Sequence, residues 1–217
     1  MNAEIKFCGM TQAEDADFAV SLGAAYVGVI FAGGSRNLTE PEAMTVLAVV
    51  PRSVERVGVF ADQSADHIVR LADHLQLGVV QLHGDHSLKR IAEIRRDFSG
   101  RIWTVARLAG DALPPEMPEM MAASDGLLLD AKTPGALGGT GVALPWASLS
   151  EQLHEIRGST SIILAGGLRP ENVRQAIAIL SPDVVDVSSG VETAPGLKSH
   201  DRMRAFRDAV DHASTPT

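Results

Sequence analysis

The chain has 217 residues and a formal net charge of −8 at pH 7, with 45% apolar and 21% charged residues. This composition is typical of a globular protein and too apolar for a disordered one. The acidic balance, without any basic block, argues against a general nucleic-acid or anionic-membrane surface, so we expect no partner of either kind.

Cysteine usage and the amino-terminal residues predict a cytoplasmic protein. The only cysteine is Cys8, which excludes an intrachain disulfide and a Cys-rich metal cluster and fits a reducing compartment. The first residues, MNAEIKFCGMT, do not resemble a signal peptide, and no apolar run approaches the roughly 18 residues of a membrane-spanning helix.

Eight short segments rich in apolar and β-branched residues recur along the chain, with starts 22 to 36 residues apart. Each is followed by a segment of helical character, and strands that alternate with helices form parallel sheets. The predicted strands are Glu4–Cys8, Tyr26–Phe31, Arg56–Phe60, Val79–His83, Ile102–Arg107, Gly126–Asp130, Ile162–Ala165 and Val184–Ser188.

Start and stop signals mark several of the helices between these strands. Thr11 and Thr39 are each followed three residues later by a glutamate, which is the pattern of a capping box. Gly23 and Gly78 occupy positions where a helix would end and the chain would turn toward the next strand. Apolar residues at helical spacing occur in the segments Asp62–Leu77, Ser87–Phe98, Pro170–Leu180 and Ser199–Ala213, and the weakest helix candidate is the proline-containing segment Asp111–Ala123.

Two parallel architectures fit eight strands: an open doubly wound sheet and a closed barrel. An open sheet usually has five to seven strands, whereas 217 residues divided among eight units leave about 27 residues for each, the lower end for a (β/α)8 barrel. We therefore predict an α/β fold consisting of a single-domain (β/α)8 TIM barrel with parallel strands over residues 1–213. Ser214–Thr217 is expected to be a frayed tail.

Polar side chains share one face of four predicted strands, while the opposite face of each is apolar. If the apolar face packs on the outer helices, the polar side chains point into the barrel near its carboxyl end, where barrel active sites are built. We expect His83 and Asp186 to bind substrate there. The polar residues of this face are Lys6, Cys8, Gln81, His83, Asp130, Asp186 and Ser188.

Cys8 and Asp130 end two of these strands, and each has two interpretations. A lone cysteine is usually a small buried hydrophobe. At a strand end directly before a helix start, however, its thiolate would be stabilised by helix-terminal N–H groups. Asp130 follows three leucines, and apolar surroundings favour a protonated carboxyl that can act as a general acid.

Glycine-containing turns follow the last three strands: GGTG at Gly138–Gly141, AGGL at Ala165–Leu168 and SSG at Ser188–Gly190. Glycine lets backbone N–H groups approach an anion closely, and the loops after strands seven and eight usually form the phosphate site of a barrel. We therefore predict a phosphorylated small molecule as ligand. No histidine spacing indicates a metal, because His67, His74, His154, His200 and His212 fall in helical segments and are expected at the surface.

Several of these segments together resemble the phosphoribosylanthranilate isomerase family of tryptophan biosynthesis. They occur in family order over nearly the whole chain. The matching segments are KFCGMT (6–11), GGSR (33–36), VGVF (57–60), QLHGD (81–85), LLLDA (127–131), GGTG (138–141), LAGGLRPENV (164–173) and DVSSGVETAPGLK (186–198).

The resemblance implies a role for each matching position. Cys8 matches the general base of the family, Asp130 its general acid, and Arg36 the arginine that holds the anthranilate carboxylate. Gly34-Ser35-Arg36 departs from the frequent Ser-Pro-Arg, which leaves the arginine loop less constrained. The phosphate loops of the family match Gly139, Gly141, Gly166, Gly167, Ser189 and Gly190.

The resemblance also implies the reaction, an Amadori rearrangement of N-(5-phosphoribosyl)anthranilate to 1-(2-carboxyphenylamino)-1-deoxyribulose 5-phosphate. The substrate nitrogen serves as the electron sink, so no cofactor and no metal is expected. Lys6 is a candidate cation that would lower the pKa of Cys8. A monomer or a homodimer fits the sequence equally well.

Three alternative functions are weighed against this one. A related barrel isomerase acting on a phosphoribosyl-formimino imidazole uses an aspartate on the first strand, where this chain has Cys8. An aldolase-type barrel would form a Schiff base on Lys6. A non-catalytic sugar-phosphate sensor would have no need for an acid and a base on different strands.

Overall fold

The structure is a computed structural model that describes residues 3–84, 87–107, 113, 115, 117–130, 149–153 and 158–213. Eight parallel strands pair in chain order and close into a barrel, because the eighth strand also pairs with the first. The predicted barrel is therefore confirmed. The strands are β1 Glu4–Phe7, β2 Tyr26–Ile30, β3 Glu55–Phe60, β4 Val79–Leu82, β5 Arg101–Arg107, β6 Gly126–Asp130, β7 Ser161–Ala165 and β8 Val184–Val187.

Helices cover the outside of this barrel and connect consecutive strands. Residues 149–153 are also helical, and within the described ranges no helix has the length and apolarity needed to cross a membrane. In the proline-containing segment, the described residues include a seven-residue helix, Met117–Ala123. The helices are α1 Ala13–Ser21, α2 Glu40–Leu47, α3 Ala65–His74, α4 Leu88–Asp97, α5 Met117–Ala123, α6 Val173–Leu180 and α7 His200–Ala213.

One of the two predicted capping boxes forms and the other does not. At the start of α2, the backbone N–H of Thr39 donates to Glu42 Oε2 at 2.7 Å, and the box is complete. The capping box predicted at Thr11 is wrong, because Gln12 and not Thr11 directly precedes α1. The Thr11 hydroxyl instead donates to the carbonyl of Gly196, which lies beyond β8. A tertiary contact thus replaces the local cap.

The two predicted glycine stops also differ. Gly23 follows α1 with a φ of +74°, which glycine adopts without strain, and this prediction is confirmed. After α3 the left-handed residue is Gln76, with a φ of +53°, so Gly78 is not the helix stop. A Cβ on Gly78 would lie 1.8 Å from Glu55 Oε2, the end of a side chain that is 45% exposed, so the Glu55 carboxylate would have to move.

Two apolar layers follow from the alternation of side chains along the strands. The inner layer fills the barrel around Trp103, which is 1% exposed. The outer layer packs the other strand face against the helices. The inner layer includes Tyr26, Val57, Val79, Trp103, Val105, Leu128, Ile163 and Val184, and the outer layer includes Ile5, Phe7, Val80, Leu82, Leu127, Leu129, Val185 and Val187.

The chain after β8 adds a feature that the eightfold pattern does not predict. A short 3₁₀ turn, Ser189–Val191, leads into an antiparallel hairpin of β9 (Glu192–Ala194) and β10 (Leu197–Lys198) before α7 begins. This hairpin reaches the end of β1 through the Thr11 contact with Gly196. The predicted tail, Ser214–Thr217, lies outside the described residues.

Candidate active site

A cavity of about 410 Å³ opens at the carboxyl end of the barrel strands. Strand alternation predicts polar residues at this end of the barrel. The apolar face of the strands packs in the outer layer, which leaves the other face to line the cavity. Every predicted catalytic and substrate-contacting side chain lines it, namely Cys8, Arg36, His83, Asp130 and Asp186.

A larger concavity of about 930 Å³ lies at the opposite end of the barrel. It is lined by residues that begin or precede β3, β4 and β5, such as Glu55, Gly78 and Gly100. Active sites of this fold are built at the carboxyl ends of the strands. The smaller cavity, which holds the predicted acid, base and arginine, is therefore the candidate site.

A buried ion pair forms the floor of this cavity between the first and last strands. Lys6 and Asp186 are opposite each other in the pairing of β1 with β8, and Lys6 Nζ lies 3.0 Å from Asp186 Oδ1. Burial by itself disfavours the ammonium, but Asp186 and Cys8 outweigh it and raise the pKa of Lys6. Lys6 therefore carries a positive charge in a buried site, where water does not screen its interactions with other charges.

Cys8 directly follows β1. It lies two residues after Lys6, on the same face of the strand, and is 5% exposed. Burial raises the pKa of the Cys8 thiol above its ordinary value, Lys6 opposes that rise, and Asp186 adds to it. The predicted cation is thus present and acts in the predicted direction. The expected net lowering of the pKa is wrong, because desolvation is the larger effect.

Asp130 ends β6, across the barrel from β1, and is 9% exposed. Its neighbour Leu129 packs in the outer layer, and Leu128 belongs to the inner one. The carboxyl therefore emerges from apolar strand positions into the cavity, as the run of leucines predicts.

Arg36 reaches the cavity from the loop after β2 and is held there by a carboxylate from the hairpin. Its Nε donates to Glu192 Oε1 at 2.8 Å and its Nη2 to Glu192 Oε2 at 2.6 Å. The hydrogen bonds that Arg36 donates to Glu192 raise the pKa of Arg36. Gly9 has a φ of +68°, and a Cβ there would lie 2.6 Å from Arg36 Cδ, so only glycine lets the arginine pass.

The six predicted phosphate residues have different outcomes: three line the cavity, one packs behind them, and two lie outside the described residues. Gly166, Gly167 and Ser189 line it. Gly190 packs behind the lining, where a Cβ would lie 1.8 Å from the carbonyl oxygen of Leu168. Its absence of a side chain thus lets the loops after β7 and β8 approach each other. The remaining predicted phosphate residues, Gly139 and Gly141, fall outside the described part of the chain.

Two further polar groups face the same cavity and were assigned no role from the sequence. Gln81, which is 2% exposed, and Ser188 both line it. Gln81 Oε1 and Ser188 Oγ are buried without a hydrogen-bond partner among the residues that the structure describes. Buried polar atoms are rarely left unpaired, so these two are suited to a polar ligand. Both residues share the polar face of their strands, and this pattern in the sequence could have identified them.

Among the residues that the structure describes, the histidines other than His83 do not line this cavity. His67 and His74 lie on α3, and His200 and His212 lie on α7, whereas His154 is not among the described residues. In those same ranges no three His, Cys, Asp or Glu side chains are grouped so that they could hold a metal ion.

Comparison with known proteins gives one consistent family. Residues 5–209 match the family model described as N-(5'-phosphoribosyl)anthranilate (PRA) isomerase. The N-(5'-phosphoribosyl)anthranilate isomerase of Chromohalobacter salexigens is 43% identical over 213 residues, which are 98% of this chain and 96% of that protein. The enzyme of the same name from Thermotoga maritima is 38% identical over 204 residues, 93% of this chain and 95% of that protein.

Solved structures agree with the sequence comparison. The crystal structure of phosphoribosyl anthranilate isomerase from Thermotoga maritima aligns with a TM-score of 0.85 and 33% identity, over 97% of this chain and 99% of that one. A phosphoribosyl anthranilate isomerase in complex with reduced 1-(o-carboxyphenylamino)-1-deoxyribulose 5-phosphate aligns with a TM-score of 0.80 and 30% identity, over the same shares of both chains.

Proposed function

Because the chain belongs to the N-(5'-phosphoribosyl)anthranilate isomerase family and catalyses that isomerisation in tryptophan biosynthesis, we propose that Cys8 is its general base and Asp130 its general acid. The reaction is the Amadori rearrangement to 1-(2-carboxyphenylamino)-1-deoxyribulose 5-phosphate. The observation that carries the assignment is one cavity lined by a thiol, a carboxyl, an arginine and two glycine-containing loops.

The proposed mechanism has two proton transfers and a tautomerisation. Protonated Asp130 donates its proton to the furanose ring oxygen as the bond from that oxygen to C1 breaks, and the anthranilate nitrogen becomes an iminium. The Cys8 thiolate removes the proton on C2, and the electron pair released neutralises the iminium to give an enolamine. The enolamine then tautomerises to the ketone.

Lys6 and Asp186 support the base in this proposal. A thiolate in a buried site needs a compensating charge, and the ammonium of Lys6 interacts with both Cys8 and Asp186. Since burial raises the pKa of Cys8, the free enzyme holds mainly the thiol near neutral pH. The fraction in the thiolate form rises as pH increases.

The substrate's two anionic ends match the two polar sides of the cavity. Arg36 binds the anthranilate carboxylate, because a guanidinium offers paired donors to a carboxylate. The backbone of Gly166, Gly167 and Ser189 receives the phosphate on the side that these residues line.

His83 and Asp186 contact the ribose portion between the two anionic ends. Both line the cavity, and so do Gln81 and Ser188, whose buried oxygens suit the sugar hydroxyls. The predicted phosphate ligands Gly139 and Gly141 remain part of the proposal, and Gly190 supports the phosphate side from behind the lining.

The aldolase alternative is less consistent with these observations. Schiff-base formation requires a neutral amine, whereas Asp186 and Cys8 raise the pKa of Lys6. Asp186 Oδ1 also holds Lys6 Nζ at 3.0 Å, which directs the ammonium away from a carbonyl substrate.

Replacing each reacting group tests the proposal. We expect Cys8→Ala and Asp130→Asn each to lower turnover at saturating substrate by about 100-fold or more, since general acid or base catalysis contributes about 10²–10⁴. Asp201→Asn is the control, because Asp201 is 97% exposed on α7. A loss below about tenfold in either variant would contradict that residue's role.

Assembly and location are also proposed. We expect a monomer or a homodimer that acts in the cytoplasm on a small phosphoribosyl substrate, without a nucleic-acid partner. The net charge of −8 and the single cysteine support this. The chemistry draws its electron sink from the substrate nitrogen, so the proposal requires no cofactor.

A further inference from the structure

The hairpin after β8 contains two charged side chains that are almost completely buried. The side chain of Glu192 is 5% exposed and that of Lys198 is 0% exposed. Charged side chains are buried at this level almost only when they are paired. Both belong to a segment whose function the reaction mechanism does not explain.

Glu192 lies between two cations, and both of its carboxylate oxygens accept hydrogen bonds from them. Its Oε1 accepts from Lys198 Nζ at 2.8 Å and from Arg36 Nε at 2.8 Å, while its Oε2 accepts from Arg36 Nη2 at 2.6 Å. These hydrogen bonds outweigh the effect of burial and lower the pKa of Glu192, so its carboxylate stays charged.

Lys198 joins this cluster to the strand ends that form the active site. Its Nζ donates to the carbonyl of Cys8 at 2.6 Å and to that of Ser188 at 3.3 Å. The same ammonium therefore contacts the ends of β1 and β8 and the carboxylate that holds Arg36. The position of the arginine is thereby tied to the strand that bears the base.

The loop that carries Arg36 is held by backbone hydrogen bonds that do not reach the guanidinium. The Gly33 N–H donates to Asn37 Oδ1 at 2.8 Å, and the Asn37 N–H donates to the Gly34 carbonyl at 3.2 Å. Gly33 and Gly34 have φ values of +81° and +83°, and a proline is absent from the Gly34-Ser35-Arg36 segment. Glu192 adds the restraint on the guanidinium itself.

We propose that Glu192 and Lys198 are positioning residues that fix the Arg36 guanidinium for the carboxylate of the substrate. The inference rests on the proposed role of Arg36. Because Glu192 accepts from Nε and from one N–H of Nη2, the donor pair assigned to the ligand carboxylate is Nη1 with the other N–H of Nη2. Lys198 is equally necessary because it pairs with Glu192, so that the positive charge of Arg36 is not cancelled by that carboxylate; burial lowers the pKa of Lys198, and its bond to Glu192 opposes that fall.

The test compares two ligands that differ only in the carboxylate. The probes are reduced 1-(o-carboxyphenylamino)-1-deoxyribulose 5-phosphate and the same molecule without its carboxyl group, with affinity measured by calorimetry. We expect Glu192→Gln to weaken the carboxylated probe by roughly 10- to 100-fold, as a displaced positioning contact does. The decarboxylated probe binds Glu192→Gln and the parent chain equally. In steady-state assays the KM for substrate rises and kcat changes less.

Matched variants separate positioning from general loss of structure. Lys198→Met should give the same selective loss, and Glu192→Asp, which keeps the charge but shortens the reach, should give an intermediate one. Glu192→Asp also serves if Glu192→Gln does not fold. Glu93→Gln on α4 is the control, because Glu93 is 42% exposed and its pair with Lys89 lies at the surface.

Each outcome decides the proposal. Equal losses for both probes, or no loss, in the Glu192 variants overturn the inference. Arg36→Met distinguishes the cause: if it weakens only the carboxylated probe while the Glu192 variants do not, the role of Arg36 stands and the positioning role alone is wrong. If Arg36→Met does not discriminate between the probes, the proposed carboxylate site and the inference both fail.

Discussion

Removal of the buried lysine at the floor of the cavity should destabilise the fold strongly. Lys6 is 0% and Asp186 9% exposed in the side chain, and their charged atoms lie 3.0 Å apart. At an effective dielectric constant of about 20, two unit charges at that distance attract by about 5 kcal/mol. Lys6→Met leaves Asp186 buried without its partner, and we expect it to lower the free energy of unfolding by about 3–5 kcal/mol.

Equilibrium unfolding in urea at pH 7, followed by far-UV circular dichroism, measures this loss. The double variant Lys6→Met with Asp186→Leu removes both charges and should recover at least about 2 kcal/mol of it, because no unpaired charge remains. Arg207→Met is the control, since its pair with Asp211 is partly exposed and should change the urea midpoint little. A cost for Lys6→Met below about 1 kcal/mol, or a double variant no more stable than the single one, would refute the reasoning.

Three more predictions concern the base, the phosphate side and the barrel interior. Because burial raises the pKa of Cys8, the rate of alkylation of this single cysteine by iodoacetamide should rise with pH above neutrality, and the thiol's contribution to stability should be lost as pH rises through that pKa. An alkylation rate that stays flat from pH 6 to 9 would contradict a raised thiol pKa. Gly190→Ala forces the new Cβ against the Leu168 carbonyl and should weaken inhibition by inorganic phosphate, measured as a higher inhibition constant. Gly126→Ala would place a Cβ 2.5 Å from Trp103 Cδ1 and should cost roughly 1–3 kcal/mol in urea unfolding; an unchanged midpoint would contradict it.

Much of the fold follows from local patterns in the sequence. All eight predicted strands agree with the structure to within one residue at each end, and Gly126–Asp130 agrees at both. The alternation of side chains also identified the residues around the cavity, because successive residues on a strand point to opposite faces. Gln81 and Ser188 could have been assigned to the ligand by the same rule, since each occupies the inward-facing parity.

Predictions that were based only on nearby residues, without the tertiary contacts, were less accurate. The capping box at Thr11 is wrong because its hydroxyl bonds to Gly196, 185 positions further along the chain. The thiol pKa of Cys8 was expected to fall because a cation was near, but burial by the whole barrel end is the larger effect.

The (β/α)8 plan, the family and the polar face of four strands could be predicted from the amino-acid sequence, because these depend on periodicity and on residues in chain order. The hydrogen bonds from Arg36 to Glu192, 156 positions away, and from Lys198 to Glu192 and to the carbonyl of Cys8 are visible only in the folded chain. Such pairs form only when β8 closes against β1, so no local pattern encodes them. Barrel closure also places Lys6 beside Asp186, and that proximity in a buried site raises the pKa of Lys6.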